Sequence, residues 1–178
     1  MSVTAEPLTF EAMSFPYNQS KSLEAVLYIA NKLDNPGKHN ISKLLYLADQ
    51  YHLIEFGVPI TGDNYIKMNF GPVPSNVYDG MKGSINWSND ISVGRVKVEP
   101  KRKPDLNELS ESEIEALDYV VNEFGDNDFQ TLTRLTHGPA WNSARINSPI
   151  NIEAIYKEAG GKDKGFQYVK EMMAFMSL

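Results

Sequence analysis

The sequence predicts a helix-rich α+β fold, a single domain with a small antiparallel sheet or hairpin. Three observations lead to this fold class. Several long stretches repeat apolar residues at three- and four-residue intervals, which is the period of an amphipathic helix. Two short stretches instead alternate apolar with polar residues or place valine and isoleucine around a polar turn, as strands do. Proline and glycine separate these stretches at short intervals.

The bulk composition fits one globular domain. The 178 residues are 42% hydrophobic and 22% charged, which supplies enough apolar material for a sizeable core. No internal repeat or low-complexity run divides the chain. We therefore predict a lead-in segment at residues 1–19 and one domain over residues 20–178.

Charge and residue inventory narrow the function classes. A net charge of −6 and a pI near 5.1 argue against a general DNA or RNA binder, because such proteins cluster Lys and Arg against phosphates. The basic run from Lys97 to Lys103 is typical of a solvated strand end or linker. The absence of cysteine excludes disulfides, thiol catalysis and thiolate metal sites. Because neither a signal-peptide pattern nor an apolar run of about 20 residues occurs, we expect a soluble cytoplasmic protein without a membrane partner.

Two long helices are predicted first. A stripe of apolar residues predicts a helix from about Ser20 to Leu33, which Asn35-Pro36-Gly37 ends. The second helix is predicted to begin after an Asn40 N-cap and to end at Gly57. Its apolar residues cover much of its circumference, so we expect this helix to be central and buried.

A strand and a proline-rich segment follow the turn at Pro59–Asp63. The strand's core face is predicted to carry Ile66, Met68 and Phe70, and its exposed face Tyr65, Lys67 and Asn69. Gly71-Pro72-Val73-Pro74 is predicted to break the strand as a rigid elbow, because its two prolines fix φ and lack N–H donors. A short helix is predicted from Ser75 to Met81.

The second half of the chain is predicted to be mostly helical. A β-hairpin is predicted over Ile85–Val98, with its turn at Ser88–Asp90 and a bulge at Gly94, followed by a linker at Pro100–Pro104. The Ser110-Glu111-Ser112-Glu113 sequence predicts a capping box that opens a helix, which Gly125 closes. Further helices are predicted at residues 128–136, 139–146, 151–159 and 163–176.

Asp49 and His52 are the strongest catalytic candidates. They lie three residues apart on a helix, so a carboxylate would adjoin an imidazole, which is half of a general-base arrangement. His52 also lies on the apolar stripe, where a core histidine satisfied by one hydrogen bond is the commoner outcome. Asp63 could join them in a hydrolase or metal site, but no nucleophile elbow or metal-ligand spacing is present. We therefore expect neither catalysis nor a metal or cofactor.

The elbow is the strongest candidate for binding a partner. A stiff backbone loses little conformational entropy on contact, and tyrosine is frequent at interface hot spots. The alternative is a plain strand-to-helix connection. The predicted partner-binding residues are those of the exposed strand face, the elbow and one tyrosine beyond it: Tyr65, Lys67, Asn69, Gly71, Pro72, Val73, Pro74 and Tyr78.

A second cluster comprises His137, Trp141 and Arg145. Trp141 and Arg145 are four residues apart, so on one helix the guanidinium could lie against the indole. Trp141 is more typical of a core anchor than of a ligand platform. Together with Asp49, His52 and Asp63, these residues form a group for which structural and functional roles both remain open.

The order of motifs resembles a known family. The pattern runs from Lys43-Leu44-Leu45-Tyr46-Leu47-Ala48-Asp49 through His52, Gly57, Pro59–Gly62, Tyr65 and Met68 to Gly71–Ser75 and Val77–Asp79, and continues with Leu135-Thr136-His137, Pro139, Trp141, Ala144 and Arg145. It is similar to that of the SocA-like Panacea antitoxins, which include phage-associated GepA-like proteins. The similarity extends from Leu23 to Arg145 and is densest between Lys43 and Lys82.

The resemblance implies an antitoxin that neutralises a cognate toxin by direct binding and performs no catalysis. Its alternatives are an adaptor that delivers the toxin to a protease and a DNA-binding repressor of its own promoter. A role in phage defence follows from the phage-associated members. The acidic balance would favour encounter with a basic toxin. The toxin's identity and the oligomeric state are not specified by these motifs.

Overall fold

The computed structural model describes residues 14–178 and confirms the helix-rich fold, with two small antiparallel sheets of two strands each. The helices are α1 (Gln19–Lys32), α2 (Lys38–Phe56), α3 (Ser75–Lys82), α4 (Glu111–Phe124), α5 (Phe129–Thr136), α6 (Pro139–Ser143), α7 (Ile152–Glu158) and α8 (Asp163–Met176), with a 3₁₀ turn at Leu106–Glu108. The strands are β1 (Tyr65–Met68), β2 (Gly71–Pro74), β3 (Ile91–Val93) and β4 (Val98–Pro100). No helix within residues 14–178 is long and apolar enough to cross a membrane. Most of the predicted lead-in segment lies outside the described residues, and the domain boundary at residue 20 stays a prediction.

Helix α2 is the centre of the fold, as predicted. It packs against α1, α4, α5, α7 and β2. One core cluster lies between α2 and α1, α3 and α4, and a second lies between α2 and α6, α7 and α8. Burial on both sides explains why apolar residues cover most of its circumference.

The predicted start of α2 is wrong. The helix begins at Lys38 with Gly37 as N-cap, and Asn40 lies inside its first turn. No side chain caps this end; instead the Lys38 N–H donates to Val96 O, 2.9 Å away in the β3–β4 turn. The carbonyl of Val96, which is distant in the chain, thus accepts from a backbone N–H that the helix itself leaves without a partner. The predicted end at Gly57 is confirmed, with Gly57 in the left-handed region at φ 79°.

The predicted boundaries of α4 are confirmed. Ser110 Oγ accepts from Glu113 N over 3.3 Å, and Glu113 Oε2 accepts from Ser110 N over 2.8 Å. These reciprocal bonds are the capping box, and they depend only on residues within one turn.

The segment Gly71–Pro74 is a strand, so its prediction as an elbow is wrong. It pairs antiparallel with β1, and the turn between them is Asn69-Phe70. On the other side of β1, Lys67 N donates to Ser148 O and Ile150 N donates to Tyr65 O. The bonds to β2 therefore fall at Ile66 and Met68, and the two prolines lie opposite Tyr65 and Lys67, where the ladder requires no N–H.

The predicted faces of β1 are wrong at Tyr65, Met68 and Phe70, whereas Ile66 and Lys67 are both half-buried. Tyr65 is 4% exposed and packs edge-on against Tyr46, with ring centroids 5.1 Å apart. Met68 and Phe70, predicted to face the core, are exposed. A tyrosine buries its large ring when its hydroxyl finds a partner, and Asp49 provides the acceptor at 2.7 Å.

The second hairpin is displaced along the chain from its predicted place. Its strands are β3 and β4, and its turn is at Gly94–Lys97, where Gly94 N donates to Lys97 O over 3.0 Å. Gly94 is thus a turn residue, and the predicted bulge is wrong. Ser88–Asp90 precedes β3 instead of forming the turn, because Trp87 is buried and its carbonyl accepts from both Asp90 and Ile91.

Candidate functional site

Asp49 is a buried hydrogen-bond hub. Its Oδ1 accepts from Ile60 N at 2.7 Å and Thr61 N at 3.0 Å, and its Oδ2 accepts from Thr61 Oγ1 at 2.6 Å and from the Tyr65 hydroxyl at 2.7 Å. Burial raises the pKa of Asp49, and the bonds from Thr61 and Tyr65 oppose that rise. All four hydrogen bonds come from the turn before β1 or from Tyr65 in β1, so Asp49 attaches the strand to α2.

His52 does not pair with Asp49. Its Nδ1 lies 2.6 Å from Val58 O, which can only accept, so Nδ1 carries the proton. Its Nε2 then accepts from Ser112 Oγ at 3.0 Å. Both ring nitrogens are therefore engaged: Nδ1 binds the segment that follows α2, and Nε2 joins α2 to the first turn of α4. The arrangement matches a satisfied core histidine and leaves the general-base interpretation without a carboxylate partner.

Asp63 caps helix α3. Its Oδ2 accepts from Val77 N at 2.9 Å, and its Oδ1 accepts from Asn76 N at 3.1 Å and Asn76 Nδ2 at 2.9 Å. An acceptor at these N–H groups satisfies donors that the first helical turn leaves free. Within residues 14–178, no group of three His, Asp or Glu residues could hold a metal ion.

His137 and Trp141 form a stack that includes Lys67 instead of Arg145. The His137 ring lies on the indole with centroids 3.8 Å apart and planes at 9°, and Lys67 Nζ lies 4.0 Å from the indole centroid. Arg145 is exposed beyond the end of α6, because Ala144 is already extended, so the predicted Arg145–Trp141 contact is wrong. Trp141 Nε1 donates to Met68 O over 2.9 Å, which attaches the β1–β2 hairpin to α6.

Lys43 is a buried lysine that is not among the predicted site residues. It is 1% exposed, and its Nζ donates to Pro72 O over 2.7 Å. Burial lowers its pKa to about 7. Gly71 leaves room for the ammonium, because a Cβ there would lie 2.9 Å from Lys43 Cε and 2.8 Å from Thr136 Oγ1. Its burial could have been predicted from the sequence, because Lys43 lies within a helix that is predicted to be buried on most sides.

A pocket of about 380 Å³ opens beside the hairpin tip. We call it the tip pocket; its lining comes from the start of α2, the hairpin, α3, the β3–β4 turn and α5: Lys38, His39, Ser42, Lys43, Met68, Asn69, Phe70, Val73, Tyr78, Arg95, Val96 and Phe129. Four of its apolar side chains, Met68, Phe70, Val96 and Phe129, are between 38% and 62% exposed. Such grouping of exposed apolar residues in a concave surface is typical of binding sites.

The aromatic wall of the tip pocket is held by ring contacts. Phe70 meets Phe129 in an edge-to-face contact with centroids 5.2 Å apart, and Phe129 stacks on His39 at 3.9 Å. His39 Nε2 lies 3.1 Å from Thr133 Oγ1. Burial and the nearby Lys43 lower the pKa of His39 to about 4, so this ring is neutral at neutral pH.

A larger cleft of about 550 Å³ is lined by Ser14, by Tyr65 at the start of β1, and by Phe166 and Met173 of α8. Its lining includes Asp63, whose oxygens are already bonded to the start of α3. The tip pocket is the better candidate site because four of its apolar side chains and the side chain of Arg95 are exposed.

The predicted partner-binding residues divide into two sets. Asn69, Val73 and Tyr78 line the tip pocket. The others lie deeper: Tyr65, Gly71, Pro72 and Pro74 are buried, and Lys67 is half-buried on Trp141. Phe129 and Val96 are not among the predicted residues because they are distant in the chain from the hairpin. Met68 and Phe70 are not among them because the alternation of β1 assigned both to the core.

Comparison with known families matches residues 41–142 to the model of the family described as Antitoxin SocA-like, Panacea domain. The match runs from the first turn of α2 into α6 and covers more than half of the 178 residues. It includes Lys43, the β1–β2 hairpin and most of the tip-pocket lining. No curated protein and no solved structure matches the chain significantly. The chain therefore belongs to the SocA-like antitoxin family with a Panacea domain.

Proposed function

We propose that this protein is an antitoxin that neutralises a cognate toxin by direct protein–protein binding. The observation that carries the proposal is the exposed aromatic tip pocket, within a domain of an antitoxin family. Bound apolar side chains would cover Phe70 and Phe129, and burial of such rings is a major source of interface affinity.

The buried residues around the pocket support a binding role. The polar atoms of Asp49 and His52, the catalytic candidates, form hydrogen bonds that join α2 to neighbouring segments. Lys43 and Trp141 fix the hairpin that carries Phe70, because they donate hydrogen bonds to Pro72 O and Met68 O. A surface held in place before binding loses less entropy when the partner arrives.

A repressor that reads DNA through α2 is disfavoured. A recognition helix exposes polar side chains to the major groove. In α2 the side chains of Ile41, Leu44 and Leu45 are fully buried, and α1, α4, α5 and α7 surround the helix. The adaptor alternative makes a separate prediction, namely that the toxin disappears from the cell.

The test is co-expression with the product of the adjoining gene as the candidate toxin. We expect growth to be rescued, the two proteins to elute as one complex in gel filtration, and the toxin level on immunoblots to stay unchanged. Rescue with a falling toxin level would support the adaptor alternative. Rescue without either a complex or a loss of toxin would contradict neutralisation by binding.

A further inference from the structure

The tip pocket differs in charge from the chain as a whole. The chain carries a net charge of −6, yet no Asp or Glu among residues 14–178 lines the pocket. Lys38 and Arg95 stand at its rim, and neither forms an ion pair with a carboxylate in the described part of the chain. Lys38 Nζ donates to the backbone carbonyl of Arg95 over 3.3 Å, which places the Lys38 ammonium against the β3–β4 turn that carries Arg95. The first turn of α2 adds the positive end of a helix dipole to the same wall.

The cations lie next to apolar surface and not in a polar groove. Val96, which follows Arg95 in the chain and also lines the pocket, is 62% exposed, and Phe70 on the hairpin tip is 58% exposed. An occupant that matches this lining needs large apolar side chains flanked by carboxylates. The volume of about 380 Å³ is within the range of pockets that enclose such groups.

We propose that the tip pocket binds an acidic, apolar segment of the partner protein. This inference rests on the proposed antitoxin function and specifies the chemistry of the contact. The apolar side chains of the segment would contact Phe70 and Phe129, and its carboxylates would pair with Lys38 and Arg95. The basic pocket would therefore bind an acidic segment, although the acidic chain as a whole attracts a basic protein at long range.

The first test reverses the pocket charge with Lys38→Glu and Arg95→Glu in one variant. The matched control is Lys162→Glu with Lys164→Glu, two exposed lysines at the start of α8 that change the net charge by the same amount. Binding to the purified product of the adjoining gene is measured by calorimetry. We expect the pocket variant to bind about tenfold more weakly or worse, and the control to bind like the wild type.

The second test removes the aromatic contact with Phe70→Ser. Its control is Phe175→Ser, another exposed phenylalanine that does not line the pocket. We expect only Phe70→Ser to weaken binding and growth rescue. Circular dichroism and thermal melting are measured for all variants, so that a loss of binding is interpreted only in a variant that is folded.

Several results would overturn the proposal. If both pocket variants bind the partner as tightly as the wild type does, the tip pocket is not the binding site, and the proposed antitoxin function still stands. Tighter binding by the charge-reversed variant would indicate a basic partner segment, and equal weakening in the control would indicate an effect of net charge alone. If gel filtration shows a dimer that Phe70→Ser converts to a monomer, the occupant is a second copy of this chain. Absence of both binding and rescue in the wild type would instead refute the proposed function itself.

Discussion

Replacing Lys43 with methionine is expected to change how stability depends on pH. Lys43 has no carboxylate partner among the described residues, and its Nζ donates to Pro72 O. Burial lowers the pKa of the amine from 10.5 to about 7 in the folded protein. Methionine fills a similar volume and removes the titrating group.

The direction of the effect follows from where the proton resides. Between the folded pKa of about 7 and the unfolded value of 10.5, the unfolded chain holds a proton that the folded protein has released. Stability therefore rises with pH in this window, because charging the buried amine opposes folding. Below about pH 7 both states are protonated, and Lys43 destabilises the fold by its full amount.

The magnitude follows from the same two values. The fall in pKa from 10.5 to about 7 corresponds to about 5 kcal/mol of differential interaction between the charged and neutral forms. Because the dependence approaches about 1.4 kcal/mol per pH unit, the contribution of Lys43 should rise by roughly 2 kcal/mol between about pH 7 and about pH 9. Loss of the bond to Pro72 costs about 1 kcal/mol and adds a nearly constant offset.

Urea denaturation followed by tryptophan fluorescence measures the effect. The quantity of interest is the free energy of unfolding of the wild type minus that of Lys43→Met, at pH values across the window. Lys164→Met, which replaces an exposed lysine, is the matched control and should give a constant difference. A constant difference for Lys43→Met as well would refute the lowered pKa and the energetic reasoning built on it.

Three further substitutions test the structural roles assigned to polar residues. Asp49→Ala leaves the Tyr65 hydroxyl and two backbone N–H groups without an acceptor, so we expect about 3 to 5 kcal/mol of destabilisation in urea, and a loss below about 1 kcal/mol would contradict its role as a hub. Ser110→Ala removes the hydroxyl that Glu113 N donates to, and should lower the free energy of unfolding by about 1 kcal/mol; an unchanged denaturation midpoint would show that the capping box does not contribute. His52→Gln should preserve both growth rescue and the circular dichroism spectrum, whereas loss of rescue in a folded variant would revive the catalytic interpretation.

Features that depend on adjacent residues were predicted from the sequence. The capping box of α4 and the left-handed end of α2 were both read from residues within one helical turn. The helices at the C-terminal end were predicted within a few residues because proline and glycine separate them. The start of α2 was misplaced because its first N–H pairs with Val96, which is distant in the chain.

The candidate site was only partly predictable. Asn69, Val73 and Tyr78 were predicted because they lie in or near the proline-rich segment, and all three line the tip pocket. The wrong assignment of Tyr65 and Met68 had a different cause. The alternation of side chains along a strand predicts that Tyr65 and Met68 lie on opposite faces, but it does not predict which of the two faces is buried. The hydroxyl bond from Tyr65 to Asp49 decides the matter, and it requires the turn at Ile60–Thr61 to approach α2.

The sequence by itself determined the helix-rich α+β class, the order of most elements, the centrality of α2 and the family, because these depend on local periodicity and on motif order. The tertiary structure decided that Gly71–Pro74 pairs as a strand, that Lys43 is buried beneath it, and that Phe70, Phe129 and Val96 meet in one pocket. Each of these depends on which distant segments approach one another. The free energy of burying a side chain or satisfying a donor is set by such neighbours, and they become adjacent only when the chain folds.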